Sequence, residues 1–127
     1  MEQNEVIIIE DNDDHAELIA RALKNKQPEI RISRLCDGEQ AICYLDMIKA
    51  EKKFFPKMIL LDLKLPKQDG IAVLSYIKDS ACLCVIPVII FSSSDEYRDI
   101  RNAYKHHANS YLVKPMDFEK LQHAINE

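Results

Sequence analysis

The stretch Met58-Ile59-Leu60-Leu61-Asp62-Leu63-Lys64-Leu65-Pro66 decides how the rest of the chain is read. It opens with an unbroken apolar run, Met58 to Leu61. Such a run fits a strand buried on both faces, as in a parallel sheet covered by helices on each side. Asp62 follows at once. Its carboxylate is expected at the carboxyl end of the strand, where open α/β sheets hold their ligands. Taken alone, Asp62 reads equally well as a reactive group and as an acidic residue that ends a strand.

Working outward, Val6-Ile7-Ile8-Ile9 is another all-apolar run and ends on Glu10-Asp11. Pro87-Val88-Ile89-Ile90-Phe91 is a third and ends on Ser92-Ser93-Ser94. Ile30 to Leu35 instead alternates apolar and polar residues, the pattern of a half-exposed edge strand. Ser110 to Val113 is a short last strand, followed by Lys114-Pro115.

Between these runs, apolar residues recur at helical spacing. Ala16, Ile19, Ala20 and Leu23 predict a helix over about 13–26, with Asn12, Asp13 or Asp14 as its cap. Ala41, Ile42, Leu45 and Ile48 mark a second helix entered through Asp37-Gly38-Glu39. Ile71, Val73, Leu74 and Ile77 mark a third, ending near Ser80. A fourth begins around Asp95 with Tyr97, Ile100 and Tyr104 on one side, and a fifth begins at Asp117 with Phe118, Leu121 and Ile125 inward.

Alternating strands and helices imply a parallel sheet with right-handed crossovers. The expected fold is a flavodoxin-like, doubly wound α/β domain of five βα units. An edge place for the second strand, with the first, third and fourth inside, selects the order 2-1-3-4-5. That order puts the topological switch between strands one and three.

Composition narrows the function classes. The 127 residues suffice for one domain with a sizeable core. A net charge of −4 argues against direct nucleic-acid binding, which needs clustered basic surface. The basic group Lys49, Lys52, Lys53 and Lys57 reads as a solvated helix end and loop. No apolar run approaches the roughly 20 residues of a membrane span, so no membrane insertion is expected. The acidic, polar N-terminus is not a secretory signal, and a cytoplasmic location is expected. Cys36, Cys43, Cys82 and Cys84 lack zinc or redox spacing and read as small buried or half-buried thiols. With only Gly38 and Gly70, the chain has no glycine-rich phosphate loop, so a ligand must be held mainly by side chains.

Strands one and three adjoin at the switch point, which brings Glu10, Asp11 and Asp62 together. Carboxylates that close raise one another's pKa and call for a counter-charge. A hard divalent cation with oxygen ligands supplies it, and Mg²⁺ typically takes one or two carboxylates, waters and a phosphate oxygen. The neighbouring strand ends add the Ser92 hydroxyl and the Lys114 ammonium. Together these groups suit phosphoryl transfer to an aspartate nucleophile, Asp62.

These motifs resemble a response-regulator receiver domain of two-component signalling, over essentially the whole chain. The resemblance rests on Ile9-Glu10-Asp11, Leu60-Leu61-Asp62 with Leu65-Pro66 and Asp69-Gly70, Ser92, and Lys114-Pro115, in that order. It implies that residues 1–127 are a single receiver domain without an output domain, and that the chain is a signalling phosphoacceptor and not an enzyme acting on other substrates. Asp62 would accept the phosphoryl group. Mg²⁺, or Mn²⁺ in its place, would be held by Asp11, Asp62 and the backbone carbonyl of Lys64, with Glu10 acting through a water. Ser92 would be the switch hydroxyl and Tyr111 the aromatic that turns inward. Lys114 would contact the phosphoryl group, fixed by a cis peptide at Pro115. Lys64, Ser93 and Ser94 would tune the site, and the long basic Lys64 predicts slow loss of phosphate. The implied partners are a sensor histidine kinase or phosphotransfer protein and a downstream protein target. A homodimer through the fourth helix, fifth strand and fifth helix is also implied. Within the family, Glu10-Asp11-Asn12 and Leu65-Pro66-Lys67 are most similar to single-domain regulators of phytochrome-like histidine kinases.

Plainer readings apply elsewhere. Asp13 and Asp14 read as capping residues, His15 as a surface residue, and His106-His107 as a cationic helix end. Tyr97, Ile100 and Tyr104 read equally as core and as an interaction face. A phosphatase of the haloacid-dehalogenase type needs D-x-D after its first strand, where this chain has Glu10-Asp11-Asn12. A degenerate receiver would lack one of the acid, serine or lysine positions. A flavin binder would need a loop after strand one that is not acidic.

Overall fold

The computed structural model describes residues 4–51 and 55–114, together with Glu119 and His123. The elements run β1 (Glu5–Ile9), α1 (Asp13–Lys26), β2 (Arg31–Leu35), α2 (Gly38–Glu51), β3 (Met58–Leu61), α3 (Gly70–Lys78), β4 (Val88–Ser92), α4 (Tyr97–Lys105) and β5 (Ser110–Val113). The strands pair in parallel in the order β2-β1-β3-β4-β5. This is the order the alternating second strand required. β1 is buried throughout, whereas β2 is half-buried to exposed and forms an edge.

The all-apolar strands divide their side chains by the two-residue period of a strand. Ile7, Ile9, Ile59, Leu61 and Ile90 join Ala41 and Leu45 of α2 and Val73, Leu74 and Ile77 of α3. Val6, Ile8, Leu60 and Phe91 join Ala16, Ile19 and Leu23 of α1 on the opposite face. Covering both faces is why no polar residue interrupts these runs. Each fully buried aliphatic side chain contributes roughly 1.5–3 kcal/mol.

Register sets the level at which the loops leave the sheet. Ile9 lies opposite both Leu35 and Leu61. Glu10 N–H donates to Leu35 O (3.0 Å) and Asp62 N–H to Ile9 O (3.0 Å), so Glu10 and Asp62 emerge side by side. On the far side, Ser92 pairs with Val113, and Lys114 N–H donates to Ser92 O (2.7 Å).

Gly70 shows how closely α3 approaches this edge. A Cβ there would lie 2.4 Å from Asp62 O and 2.5 Å from Leu63 Cα, distances no side chain tolerates. The glycine lets the helix start pack directly on the backbone that carries Asp62. Asp69 caps the helix by accepting from Ala72 N–H.

Three expectations need correction. Cys36, Cys43 and Cys84 are exposed, and only Cys82 is half-buried; all four are free thiols. The inward positions near them are taken by larger aliphatics, Leu45 on α2 and Leu83 and Ile86 before β4. The core reading of the α4 stripe fails, because Tyr97 is 75% and Tyr104 48% exposed while Ala103 is the buried residue of that helix. Helix α4 begins at Tyr97, later than expected, because Glu96 takes the extended capping conformation. The expected fifth helix from Asp117 and the Lys114–Pro115 peptide lie outside the described residues.

Candidate functional site

Glu10 follows β1, Asp11 begins the turn into α1, and Asp62 follows β3. One carboxylate oxygen from each lies within 4.8 Å of the others. Glu10 and Asp62 are buried, while Asp11 is exposed. Among the described residues, this trio is the one acidic cluster able to hold a metal. An all-oxygen, anionic donor set suits a hard divalent cation of the Mg²⁺ or Mn²⁺ kind and not a softer one.

Lys114, just past β5, supplies a cation from the protein itself. Its ammonium donates to Glu10 Oε1 (2.5 Å) and Asp62 Oδ2 (3.1 Å). Its third close partner is His15 Nδ1 at 3.1 Å. An ammonium can only donate, so this contact requires His15 Nδ1 to accept, with the ring proton on Nε2. Phe91 lies beneath, its ring centroid 5.4 Å from the ammonium. Lys114 is itself buried, so these partners offset the cost of withdrawing its charge from water.

The other expected site residues lie around this centre. Backbone N–H of Lys64 donates to Asp62 Oδ1 (3.2 Å), while the Lys64 side chain is exposed. Ser92 is fully buried at the end of β4. Its hydroxyl accepts from Ser94 N–H (3.2 Å) and is not hydrogen-bonded to the carboxylates. Tyr111 is half-buried, and its hydroxyl donates to Ser94 O (2.9 Å). Ser92 and Tyr111 thus grip the two ends of the same residue's backbone. Ser94 Oγ donates to Asp99 Oδ2 (2.5 Å), and Ser93 is exposed.

Two further residues join the site. His15 was read as a surface residue, yet it meets Lys114 and lies 3.8 Å from Glu10 Oε1. A signal was available: it stands three residues beyond Asn12, whose side chain caps α1 by accepting from His15 N–H. That position turns the ring back over the acidic turn. Arg34 gave no such signal. It is one polar member of an alternating strand, but its guanidinium donates to Glu10 O through Nε (3.1 Å) and Nη2 (2.8 Å) and to Asp13 Oδ1 through Nη1 (2.6 Å). Asp13 pairs with this arginine and stands outside the acidic cluster.

Burial pushes the Glu10 carboxyl up from 4.5 to about 7; the Lys114 hydrogen bond opposes this and the Asp62 charge adds to it. Over that interval the folded protein keeps a proton that the unfolded chain has released. This group's contribution to stability is therefore complete below about pH 4.5 and lost as pH rises through about 7. The change corresponds to roughly 3 kcal/mol. In chelator, wild type should lose Tm relative to Glu10→Gln as pH rises from about 5 to 8. A saturating divalent cation favours the ionised form and should shrink that loss. Parallel pH profiles for the two proteins in chelator would rule the shift out.

A family profile described as the response regulator receiver domain matches residues 6–126. The chain is 44% identical over 122 residues to the probable methanogenesis regulatory protein FilR2 of Methanothrix harundinacea (strain 6Ac), covering 96% of this chain and 79% of that protein. Response regulator Rcp1 of a Synechocystis species is 33% identical over 117 residues, covering 91% of this chain and 80% of that one. Among solved structures, the Mn²⁺-bound form of response regulator Rcp1 matches with a TM-score of 0.84 at 32% identity, covering 94% of this chain and 89% of that one. The phosphorylated cyanobacterial phytochrome response regulator RcpA matches with a TM-score of 0.83 at 34% identity, covering 95% of this chain and 87% of that one. The expected likeness to regulators of phytochrome-like kinases is met by RcpA. Among the described residues, no helix is long and apolar enough to cross a membrane.

Proposed function

The chain belongs to the response regulator receiver family, and from that membership we propose that it is the phosphoacceptor of a two-component phosphorelay, phosphorylated on Asp62. The observation that carries this reading is the buried Asp62 carboxylate, clustered with Glu10 and Asp11 and held 3.1 Å from the Lys114 ammonium.

In the proposed step, an Asp62 oxygen attacks the phosphorus of a phosphohistidine or a small acyl phosphate. The bond from phosphorus to the donor's leaving atom breaks, and its electron pair departs with the donor. Lys114 stays within reach of the new phosphoryl oxygens and offsets their charge. Asp11, Asp62 and the Lys64 carbonyl would hold Mg²⁺, with Mn²⁺ able to substitute and Glu10 acting through a water. Bound there, the cation supplies positive charge against the carboxylates and the transferring group. The chain promotes only its own phosphorylation and dephosphorylation.

Phosphorylation adds roughly −1.5 to −2 charges. Ser92 then serves a phosphoryl oxygen, giving up its bond to Ser94 N–H. Tyr111 holds the carbonyl of that same Ser94, which supports coupling of the serine to the aromatic and hence to α4 and β5. The exposed Tyr97 and Tyr104 make α4 the face for a downstream target or a homodimer. The donor is a sensor histidine kinase or a phosphotransfer protein. The receiver profile spans residues 6–126, and in this reading the signal leaves them by protein contact.

A small phosphodonor such as acetyl phosphate should label the protein in Mg²⁺ or Mn²⁺, and the label should be lost to hydroxylamine, as acyl phosphates are. Equal labelling in chelator would overturn the reading. Lys64, exposed beside Asp62, tests the timing. Pairing of its ammonium with the phosphoryl group resembles an exposed ion pair, so Lys64→Asn should speed loss of phosphate by up to about fivefold. An unchanged rate would remove Lys64 from the account.

A further inference from the structure

The turn that presents Asp11 is bracketed by one side chain from the edge strand. Arg34 lies on β2 opposite Ile8 of β1. Two of its guanidinium nitrogens converge on the carbonyl oxygen of Glu10, at 3.1 and 2.8 Å. The remaining arm reaches the Asp13 carboxylate in the first turn of α1, at 2.6 Å. The guanidinium therefore spans the turn Glu10-Asp11-Asn12-Asp13 from end to end. The gripped carbonyl belongs to the peptide that leads into Asp11. Among the described residues no side chain hydrogen-bonds the Asp11 carboxylate, so its direction is set by this backbone. The Arg34 side chain is 28% exposed, and it touches the site only through the turn.

We infer that Arg34 is a positioning residue for divalent-cation binding, a forked clamp that fixes the peptide carrying Asp11 so that its carboxylate meets those of Glu10 and Asp62. The inference rests on the reading of those carboxylates as a divalent-cation site.

Charge and geometry here predict opposite signs. A guanidinium beside an acidic site repels an incoming cation, so by charge alone its removal tightens binding. As a clamp its removal loosens binding, because partners that orient metal ligands are typically worth 10- to 100-fold in affinity. Lysine separates the two effects, since it keeps the charge but cannot reproduce the planar fork on one carbonyl and one carboxylate.

The test is direct titration of the whole chain with Mn²⁺, read by the loss of the free-ion paramagnetic resonance signal and independent of phosphorylation. Arg34→Lys and Arg34→Met should each weaken Mn²⁺ binding by about tenfold or more. If Arg34→Met binds more tightly and Arg34→Lys like wild type, Arg34 acts by charge alone and the clamp is refuted. It is equally refuted if both variants bind like wild type, or if only the methionine variant weakens. Should Arg34→Met fail to fold, Arg34→Lys, with its charge and aliphatic stem kept, still decides the matter. Failure of wild type itself to bind Mn²⁺ overturns the cation-site reading, and this inference with it.

Discussion

Asp62→Asn should abolish labelling by a small phosphodonor, lowering the rate by more than about 100-fold, because the amide is no nucleophile toward phosphorus. The substitution keeps the size of the side chain and one oxygen to accept from Lys64 N–H, while Lys114 keeps Glu10 as its partner, so the fold should survive. In chelator the variant should be at least as stable as wild type, since one of three clustered carboxylates is gone. Its stabilisation by Mg²⁺ should shrink for the same reason. Labelling rates and Tm with and without Mg²⁺ check both halves. A variant that still labels at half the wild-type rate would mean the phosphoryl group goes elsewhere.

Lys114→Met should slow labelling by roughly 100- to 1000-fold, the cost of losing one well-placed charge partner in such a site. It should also destabilise the protein. Glu10 and Asp62 are buried and both accept hydrogen bonds from this ammonium, at 2.5 and 3.1 Å. Removing one side of a buried ion pair leaves the other uncompensated and costs about 3 kcal/mol or more. Without the ammonium, the hydrogen bond that holds the Glu10 carboxyl down is gone, so its folded-state pKa rises further and the loss is largest where Glu10 must be ionised, near pH 8. It shrinks toward pH 5 as Glu10 takes up a proton. Urea unfolding in chelator at the two pH values reads this directly. A loss that is equal at both would show that Lys114 contributes by packing and not by charge.

The topology was legible because burial on two faces leaves a plain mark. β1, β3 and β4 carry unbroken apolar runs, Val6–Ile9, Met58–Leu61 and Val88–Phe91, and each side of the sheet takes alternate residues into a separate core. β2 alternates, and it is an edge. From the edge assignment the strand order follows, and from the order the meeting of Glu10, Asp11 and Asp62. Strand ends are covalently tied to their strands, so polar residues there were placed as soon as the strands were. What was not legible depends on reach. Arg34 meets Glu10 across 24 positions and Lys114 meets His15 across 99. Nothing in the local pattern of β2 separates a clamping arginine from a solvated one. The cysteines failed for a different reason. Thiols are small and tolerant of either environment, and at Cys43, Cys82 and Cys84 larger aliphatics nearby claimed the core. The α4 stripe of Tyr97, Ile100 and Tyr104 has helical period, but period does not say whether another element covers it. Tyr97 and Tyr104 stand exposed.

The phosphoryl group should sit on Asp62 as an acyl phosphate, and reductive trapping reads its position in the unmodified chain. Wild-type protein labelled with acetyl phosphate and Mg²⁺, then treated with borohydride, should yield homoserine at position 62 and at no other aspartate when its peptides are mass-mapped. Homoserine at position 11, or phosphate surviving reduction on Ser92, Ser93 or Ser94, would contradict the account.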